Sequence, residues 1–203
     1  MEVEAKYIVS AHDMKIVAQM RQAGPYTLHL EPEPEHQRNR YFDTPDRRLA
    51  QARYGLRLRD VGERTLVTLK GPAEVVRGLH RRAEYEFAHA DPDPHTWPPG
   101  PARELALALI GKASLVPTVT ILTERTILFA HYQGRVVAEI CLDSGVIHAL
   151  SHAEPFNELE IELLPDGSEA DLSALADALR SFIDLCPESR SKLQRGLALL
   201  GSP

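Results

Sequence analysis

The chain opens on Glu2-Val3-Glu4-Ala5-Lys6, charged and apolar residues in strict alternation. Successive side chains of a β-strand point to opposite faces, so Glu2, Glu4 and Lys6 share one face while Val3, Ala5 and Tyr7 share the other. Two carboxylates placed this way lie roughly 6–7 Å apart, within reach of one divalent cation or a pair of them. A strand with one wet face reads identically. The stretch therefore gains its meaning from what recurs beyond it.

The same period returns along most of the chain. Arg57 and Arg59 alternate with Leu56 and Leu58, and Lys70 ends Thr68-Leu69-Lys70. Arg82, Glu84 and Glu86 share a face opposite Ala83, Tyr85 and Phe87. Arg125 lies inside Thr123-Glu124-Arg125-Thr126, Glu139, Cys141 and Asp143 alternate with Ile140 and Leu142, and Glu158, Glu160 and Glu162 with Leu159, Ile161 and Leu163. Charge sign is largely grouped by strand: Arg and Lys in the middle strands, Glu pairs in the first and last. Like charges two apart on a strand repel unless compensated. Cations would compensate the Glu pairs and a polyanion the Arg cluster, and a closed barrel with a charged lumen satisfies both. Ordinary solvated faces give the same alternation, and the pattern by itself leaves both readings open.

The remaining elements follow from local signals. Ser10-Ala11-His12-Asp13 resembles a capping box and predicts a short helix ending near Ala23-Gly24-Pro25. Strands are expected over 27–30, 37–43, 55–61, 64–70 (a hairpin with its turn at Gly62-Glu63), 81–88, 118–122, 124–131, 135–143 and 157–164, with Gly134 a turn residue. The proline-rich stretch 91–101 reads as a stiff linker into a helix over 103–110. Leu172, Leu175, Leu179, Phe182 and Ile183 form one apolar helical stripe, read as core packing. A last short helix covers 191–200. With no repeat and no other boundary signal, one domain of antiparallel sheet with peripheral helices, class α+β, is expected over 1–203.

Bulk properties narrow the setting. The chain has 203 residues, 43% hydrophobic and 26% charged, with a net charge of −6. That balance argues against general nucleic-acid binding, which favours a basic surface. Cys141 and Cys186 are far apart and form no CxxC motif, as expected of reduced thiols. The acidic start has no apolar h-region, and no apolar run approaches the ~20 residues of a membrane span, so a cytoplasmic protein with no membrane partner is expected. The nine histidines show no metal spacing and read as surface or loop residues.

Taken in order, Glu2-Val3-Glu4-Ala5-Lys6, Tyr41-Phe42-Asp43-Thr44-Pro45, Gly55-Leu56-Arg57-Leu58-Arg59, Thr68-Leu69-Lys70, Arg82-Ala83-Glu84, Glu124-Arg125, Leu142-Asp143, Glu160-Ile161-Glu162 and Ser191-Lys192 resemble the motifs of the CYTH domain, or triphosphate tunnel metalloenzyme, family. The stretch from Gly78 to Tyr85 and the later Trp97-Pro98 look most like its bacterial inorganic triphosphatase branch. The resemblance implies an eight-stranded antiparallel β-barrel, a tunnel with helices packed outside. It implies that Arg57, Arg59, Lys70, Arg82, Arg125 and Lys192 bind the phosphate chain, a role that suits the planar, permanently charged guanidinium. It implies that Glu2, Glu4, Glu160 and Glu162, with Asp143, hold Mg²⁺ or Mn²⁺, hard cations that favour carboxylate oxygens. Glu2, Glu4 and Lys6 then form the catalytic group, with Lys6 orienting the attacking water or binding a terminal phosphate oxygen.

The expected reaction is metal-dependent hydrolysis of a linear triphosphate, tripolyphosphate first, without a covalent enzyme intermediate. Cyclisation of ATP, as in class IV adenylate cyclases, and thiamine triphosphate hydrolysis are alternatives on the same site. A non-catalytic polyphosphate-binding module is the alternative of another class. The family also admits a homodimer, and a helical CHAD domain in a longer parent chain.

Overall fold

The computed structural model describes residues 2–76 and 79–201; Gly78, which begins one of the stretches quoted above, lies outside them. In chain order the elements are β1 (Glu2–Ile8), α1 (Ala11–Gln19), β2 (Gln22–Ala23), β3 (Tyr26–Leu30), β4 (Glu35–Asp43), α2 (Arg48–Gln51), β5 (Gly55–Val61), β6 (Arg64–Lys70), β7 (Glu74–Val76), β8 (Leu79–Arg82), β9 (Glu84–Ala88), α3 (Pro101–Ile110), β10 (Val116–Tyr132), β11 (Arg135–Ala149), β12 (His152–Leu163), α4 (Glu169–Arg180), β13 (Cys186–Pro187) and α5 (Lys192–Gly201).

The strands pair antiparallel in the order β8-β1-β12-β11-β10-β4-β5-β6-β9. β8 and β9 are consecutive in the chain, separated only by Ala83. The carbonyl of Ala83 accepts a 2.9 Å hydrogen bond from the peptide N–H of Gly71. Counting β8 and β9 as one stave interrupted at Ala83, eight staves ring a nearly closed barrel, which is the architecture the family resemblance implied.

Closure sends every strand's two faces to different places. Outward residues of β1, β10, β11 and β12, among them Ala5, Tyr7, Leu128, Ile140 and Leu159, are buried under α1 and α4 through Val17, Leu172, Leu175 and Leu179. On the opposite flank Leu56, Leu58, Val67 and Leu69 pack beneath Leu49, Ala106, Ile110 and Trp97. A third apolar group is on the lumen side: Tyr41, Val119, Ile121, Ile147 and Phe156 receive Leu193, Leu197 and Leu200 of α5. A Cβ added at Gly196 would stand 2.5 Å from Val119 Cγ1, so only glycine lets α5 approach the wall this closely.

Several boundaries differ from the sequence reading. The strands read over 118–122 and 124–131 are one 17-residue strand, β10, joined to β11 by Gln133 (φ 50°) and Gly134 (φ 78°). Two successive positive φ values give the twist that a tight hairpin needs. The supposed linker is packed down: Trp97 is 2% exposed, and its indole N–H donates to the Asp91 carbonyl at 3.0 Å. Phe182 does not join the core stripe. α4 ends at Arg180, and past that end the helical period no longer applies, leaving Phe182 60% exposed while Ile183 is buried. No helix among the described residues is long and apolar enough to cross a membrane.

Candidate active site

The barrel encloses a cavity of about 550 Å³. Glu2, Glu4, Lys6, Arg57, Arg59, Lys70, Arg82, Arg125, Asp143, Glu160, Glu162 and Lys192 all line it. The structure thus brings together every site residue anticipated from the sequence. The reason is geometric for all but Lys192, which α5 supplies: alternate residues of eight staves point inward, and the rest of the charged set occupies those alternate positions.

One wall is acidic. Glu4 of β1, Glu162 of β12 and Glu139 of β11 stand in register across three neighbouring strands. Burial, and then the nearby charges of Glu2, Glu139 and Glu4, push the Glu162 carboxyl up to about 8. Burial, Glu160 and Glu2 likewise raise Glu4, against the pull of Arg82 and Lys6. Lys6 Nζ lies 3.8 Å from Glu4 Oε1, and both side chains are almost wholly buried. Burial also works against Glu2, but Lys70 and Arg82 outweigh it and hold that carboxyl well below its ordinary range.

Further along the same strands, a second acidic group is already matched to cations. Arg125 grips Asp143 with two 2.7 Å bonds and donates a third to Glu160. Lys192 Nζ lies 2.9 Å from Asp143 and 2.8 Å from Glu160, and also bonds Glu158.

The facing wall is basic. Arg57 donates to Thr68 Oγ1 at 3.1 Å and reaches Glu86 at 3.4 Å, while Lys70 bridges Glu2 and Glu84, each at 3.0 Å. Arg82 pairs with both Glu2 and Glu4. Arg59 differs from these: its Nε donates to Asn39 Oδ1 at 3.1 Å, and among the described residues it forms no ion pair. Burial, then Arg57 and Arg125, depress its guanidinium to about 10. Tyr41 senses the same field. Burial alone would raise its phenol, yet Arg57, Lys70, Arg59 and Arg82 together bring it below its ordinary value.

Some lumen residues escaped the sequence reading. His80, read as a surface histidine, is 4% exposed and lines the cavity, opposite Glu4 in register. Burial, Lys6 and Arg82 push it down to about 4, so it stays neutral. Its position two residues before Arg82 was the available signal. Gln37, Asn39 and Tyr41 occupy alternate positions on β4, and their uncharged side chains gave no such signal. Glu139 and Glu158 were visible in the alternation but not assigned to the site.

The donor type suits a hard divalent cation: carboxylate oxygens supply it, and burial together with neighbouring carboxylates raises Glu4 and Glu162, whose ionised forms a cation would favour. Among the described residues no three acidic, histidine or cysteine side chains form a ready-made metal group. Arg82, Lys70, Arg125 and Lys192 instead draw the carboxylates toward themselves.

Fold and lumen together define a β-tunnel that sets a carboxylate row against an arginine wall. The CYTH domain model matches residues 1–197, and the chain belongs to that family. An inorganic triphosphatase of Haemophilus influenzae is 33% identical over 173 residues, covering 83% of this chain and 48% of its own length. The chain therefore spans about half the length of that relative. Among solved structures, the Hippeastrum protein HpAC1, named as an adenylyl cyclase with a dominant triphosphatase activity, superposes with a TM-score of 0.65 at 18% identity, over 98% of this chain and 96% of its own. A Bacillus halodurans protein assigned as an adenylate cyclase gives 0.66 at 24% identity, over 96% of each chain. These two likenesses concern the fold alone.

Proposed function

We propose that the chain is a triphosphatase domain, one unit over 1–203, that hydrolyses inorganic tripolyphosphate to diphosphate and phosphate with Mg²⁺ or Mn²⁺, in the cytoplasm. The observation that carries this reading is Arg59: a partly buried guanidinium with no ion pair among the described residues, crowded by Arg57 and Arg125 and drawn by Glu86 only beyond ion-pair distance, in a cavity whose opposite wall is acidic. Such a cation is costly in the free protein unless an anion completes it. The kinship with an inorganic triphosphatase of Haemophilus influenzae supports the same reading.

In this reading Arg57, Arg59, Lys70, Arg82 and Arg125 hold phosphate oxygens in line, Arg59 with no ion pair to surrender. Glu2, Glu4 and Glu162, with Asp143 and Glu160, would hold the cation. When bound, the cation neutralises phosphate charge and acidifies a water. Lys6, fixed beside Glu4 in the acidic wall, meets the terminal phosphate or the attacking water. The arginines stabilise the charge that develops on the leaving diphosphate.

The test is phosphate release from tripolyphosphate, ATP and thiamine triphosphate, each with Mg²⁺, Mn²⁺ or EDTA. Cation-dependent release, fastest from tripolyphosphate, is expected. Cyclic AMP from ATP would move the protein to the cyclases. Tight tripolyphosphate binding without release would make it a binding module.

A further inference from the structure

The residue that ends α2 does not suit its place. Ala52 caps the helix, the peptide N–H of Arg53 donates to the Ala50 carbonyl at 2.9 Å, and that of Tyr54 donates to the Leu49 carbonyl at 2.8 Å. This pair of bonds is how a helix closes on a left-handed residue, a position that favours glycine and then asparagine. The chain sets an arginine there, at φ 64°. A left-handed backbone is costly for a branched-off side chain, and such strain concentrates where a site uses it. Arg47, at the other end of α2, is also left-handed (φ 58°), but it does not line the cavity, whereas Arg53 does.

Arg53 is exposed although it lines the cavity, which places it at an opening. Among the described residues the other exposed members of the lining are Glu86, Ser189 and Gln194, so Arg53 is the cation that the cavity shows to solvent. Glu86 is already bonded to Arg57 and Thr68. Arg53 forms no ion pair among the described residues, and its Nη2 makes one long hydrogen bond, to the Ala73 carbonyl at 3.4 Å. The lining beside it is uncharged, with Tyr54 next in the chain and Ala73 across the rim. A Cβ added at Gly55 would stand 2.8 Å from Leu193 Cδ2, so the first turn of α5 meets the start of β5 here. The way inward from Arg53 is basic: Gly55 stands opposite Lys70 in register, and Arg57 and Arg59 follow along β5.

Resting on the triphosphate reading above, we propose that Arg53 is the entrance residue of the tunnel: it captures a phosphoryl group of the linear polyphosphate at the opening and stays bound to it while the rest of the chain lies along the basic wall. Its planar fork can take two phosphate oxygens at once, and it gives up only the long bond to Ala73 to do so. The left-handed backbone is then the means of turning an arginine, in place of a glycine, toward the cavity mouth. Because the guanidinium is exposed, salt screens its attraction, and its effect falls on substrate binding more than on the chemical step.

The test is steady-state kinetics with tripolyphosphate and Mg²⁺ on wild type, Arg53→Gly and Arg53→Lys. Glycine is the residue this helix end favours, so Arg53→Gly should fold with a thermal midpoint no lower than that of wild type. Its KM should rise roughly fivefold or more at low ionic strength, with a smaller effect on kcat. The rise should shrink by about half or more when salt goes from about 0.02 to about 0.2 M. Arg53→Lys, which returns a charge to the same backbone position, should recover most of the loss. An unchanged KM in Arg53→Gly, a fall in kcat at constant KM, or a loss that Arg53→Lys repeats in full overturns the proposal. A wild type that releases no phosphate overturns the hydrolysis reading alone. Calorimetric titration of tripolyphosphate in EDTA then judges Arg53: Arg53→Gly should bind roughly fivefold more weakly than wild type, and equal affinity overturns the proposal.

Discussion

At the scale of single residues, what sets this lumen apart is how unequally its charges are compensated. Arg82 and Arg125 are matched by carboxylates at hydrogen-bond distance, whereas Arg59 bonds Asn39, is crowded by two arginines, and feels the Glu86 carboxylate only beyond ion-pair distance. A group kept charged against its surroundings costs stability and is retained where function uses it. Arg59→Met should therefore stabilise the ligand-free protein, by about 0.5–2 kcal/mol, read as a higher midpoint in urea. The same change should lower kcat/KM for tripolyphosphate by roughly 2–4 kcal/mol of transition-state stabilisation. A variant that is less stable and equally active would show that Arg59 serves the fold. Glu162→Gln makes the complementary case. Removing the carboxylate that Glu2, Glu139 and Glu4 crowd should raise metal-free stability while abolishing cation-dependent phosphate release. Near-normal turnover would remove Glu162 from the cation site.

At the scale of elements, local chemistry was readable and long-range closure was not. Ser10 and Asp13 form the reciprocal capping bonds their spacing announced, and the hairpin of β5 and β6 turns where Gly62-Glu63 places it. β10 was read as two strands because its inward residues change character midway. Val119 and Ile121 meet α5, Thr123 and Arg125 meet the charged lumen, and no local rule anticipates a strand that passes from one environment to the other. Trp97 and His80 were misplaced for a related reason: their burial comes from distant parts of the chain. The charged alternation did carry the site residues, since period two survives even the interruption at Ala83, and Arg82, Glu84 and Glu86 all reach the cavity. Sequence could not reveal which carboxylate meets which cation, because that depends on register between strands far apart in the chain. The packing of α5 yields its own prediction. Gly196→Ala places a methyl 2.5 and 2.9 Å from the Val119 side chain and 3.0 Å from Ile147 Cγ2. It should cost about 1–3 kcal/mol of stability and raise hydrogen exchange in α5 before any other helix. A variant as stable as wild type would mean that α5 shifts freely along the wall.

At the scale of the whole molecule, the lumen couples stability to pH and to cation in a direction that can be worked out. Glu162 near 8, Glu158 near 7 and the raised Glu4 bind protons more tightly in the folded protein than in the unfolded chain, where the ordinary value is 4.5. Their contribution is full below 4.5 and is lost as pH rises through their folded values. Glu2, Asp143 and Glu160 are shifted the other way, by Lys70 and Arg82, by Arg125 and Lys192, and by Lys192 and Arg125, each against the penalty of burial. They contribute stability above their unfolded values that disappears as pH falls. The metal-free protein should accordingly be most stable near the ordinary carboxylate value of 4.5 and weaken on both sides, with the alkaline limb running up through Glu158 and Glu162. A divalent cation favours the ionised carboxylates, so it should flatten the alkaline limb and leave the acid limb where protons compete it away. Thermal unfolding in EDTA and in millimolar Mg²⁺, followed from pH 5 to 9, reads this as a gap between the two curves that widens above pH 7. Parallel curves across that range would mean that the raised carboxylates are neutralised by the protein's own lysines and arginines, and that the acidic wall has no need of a metal.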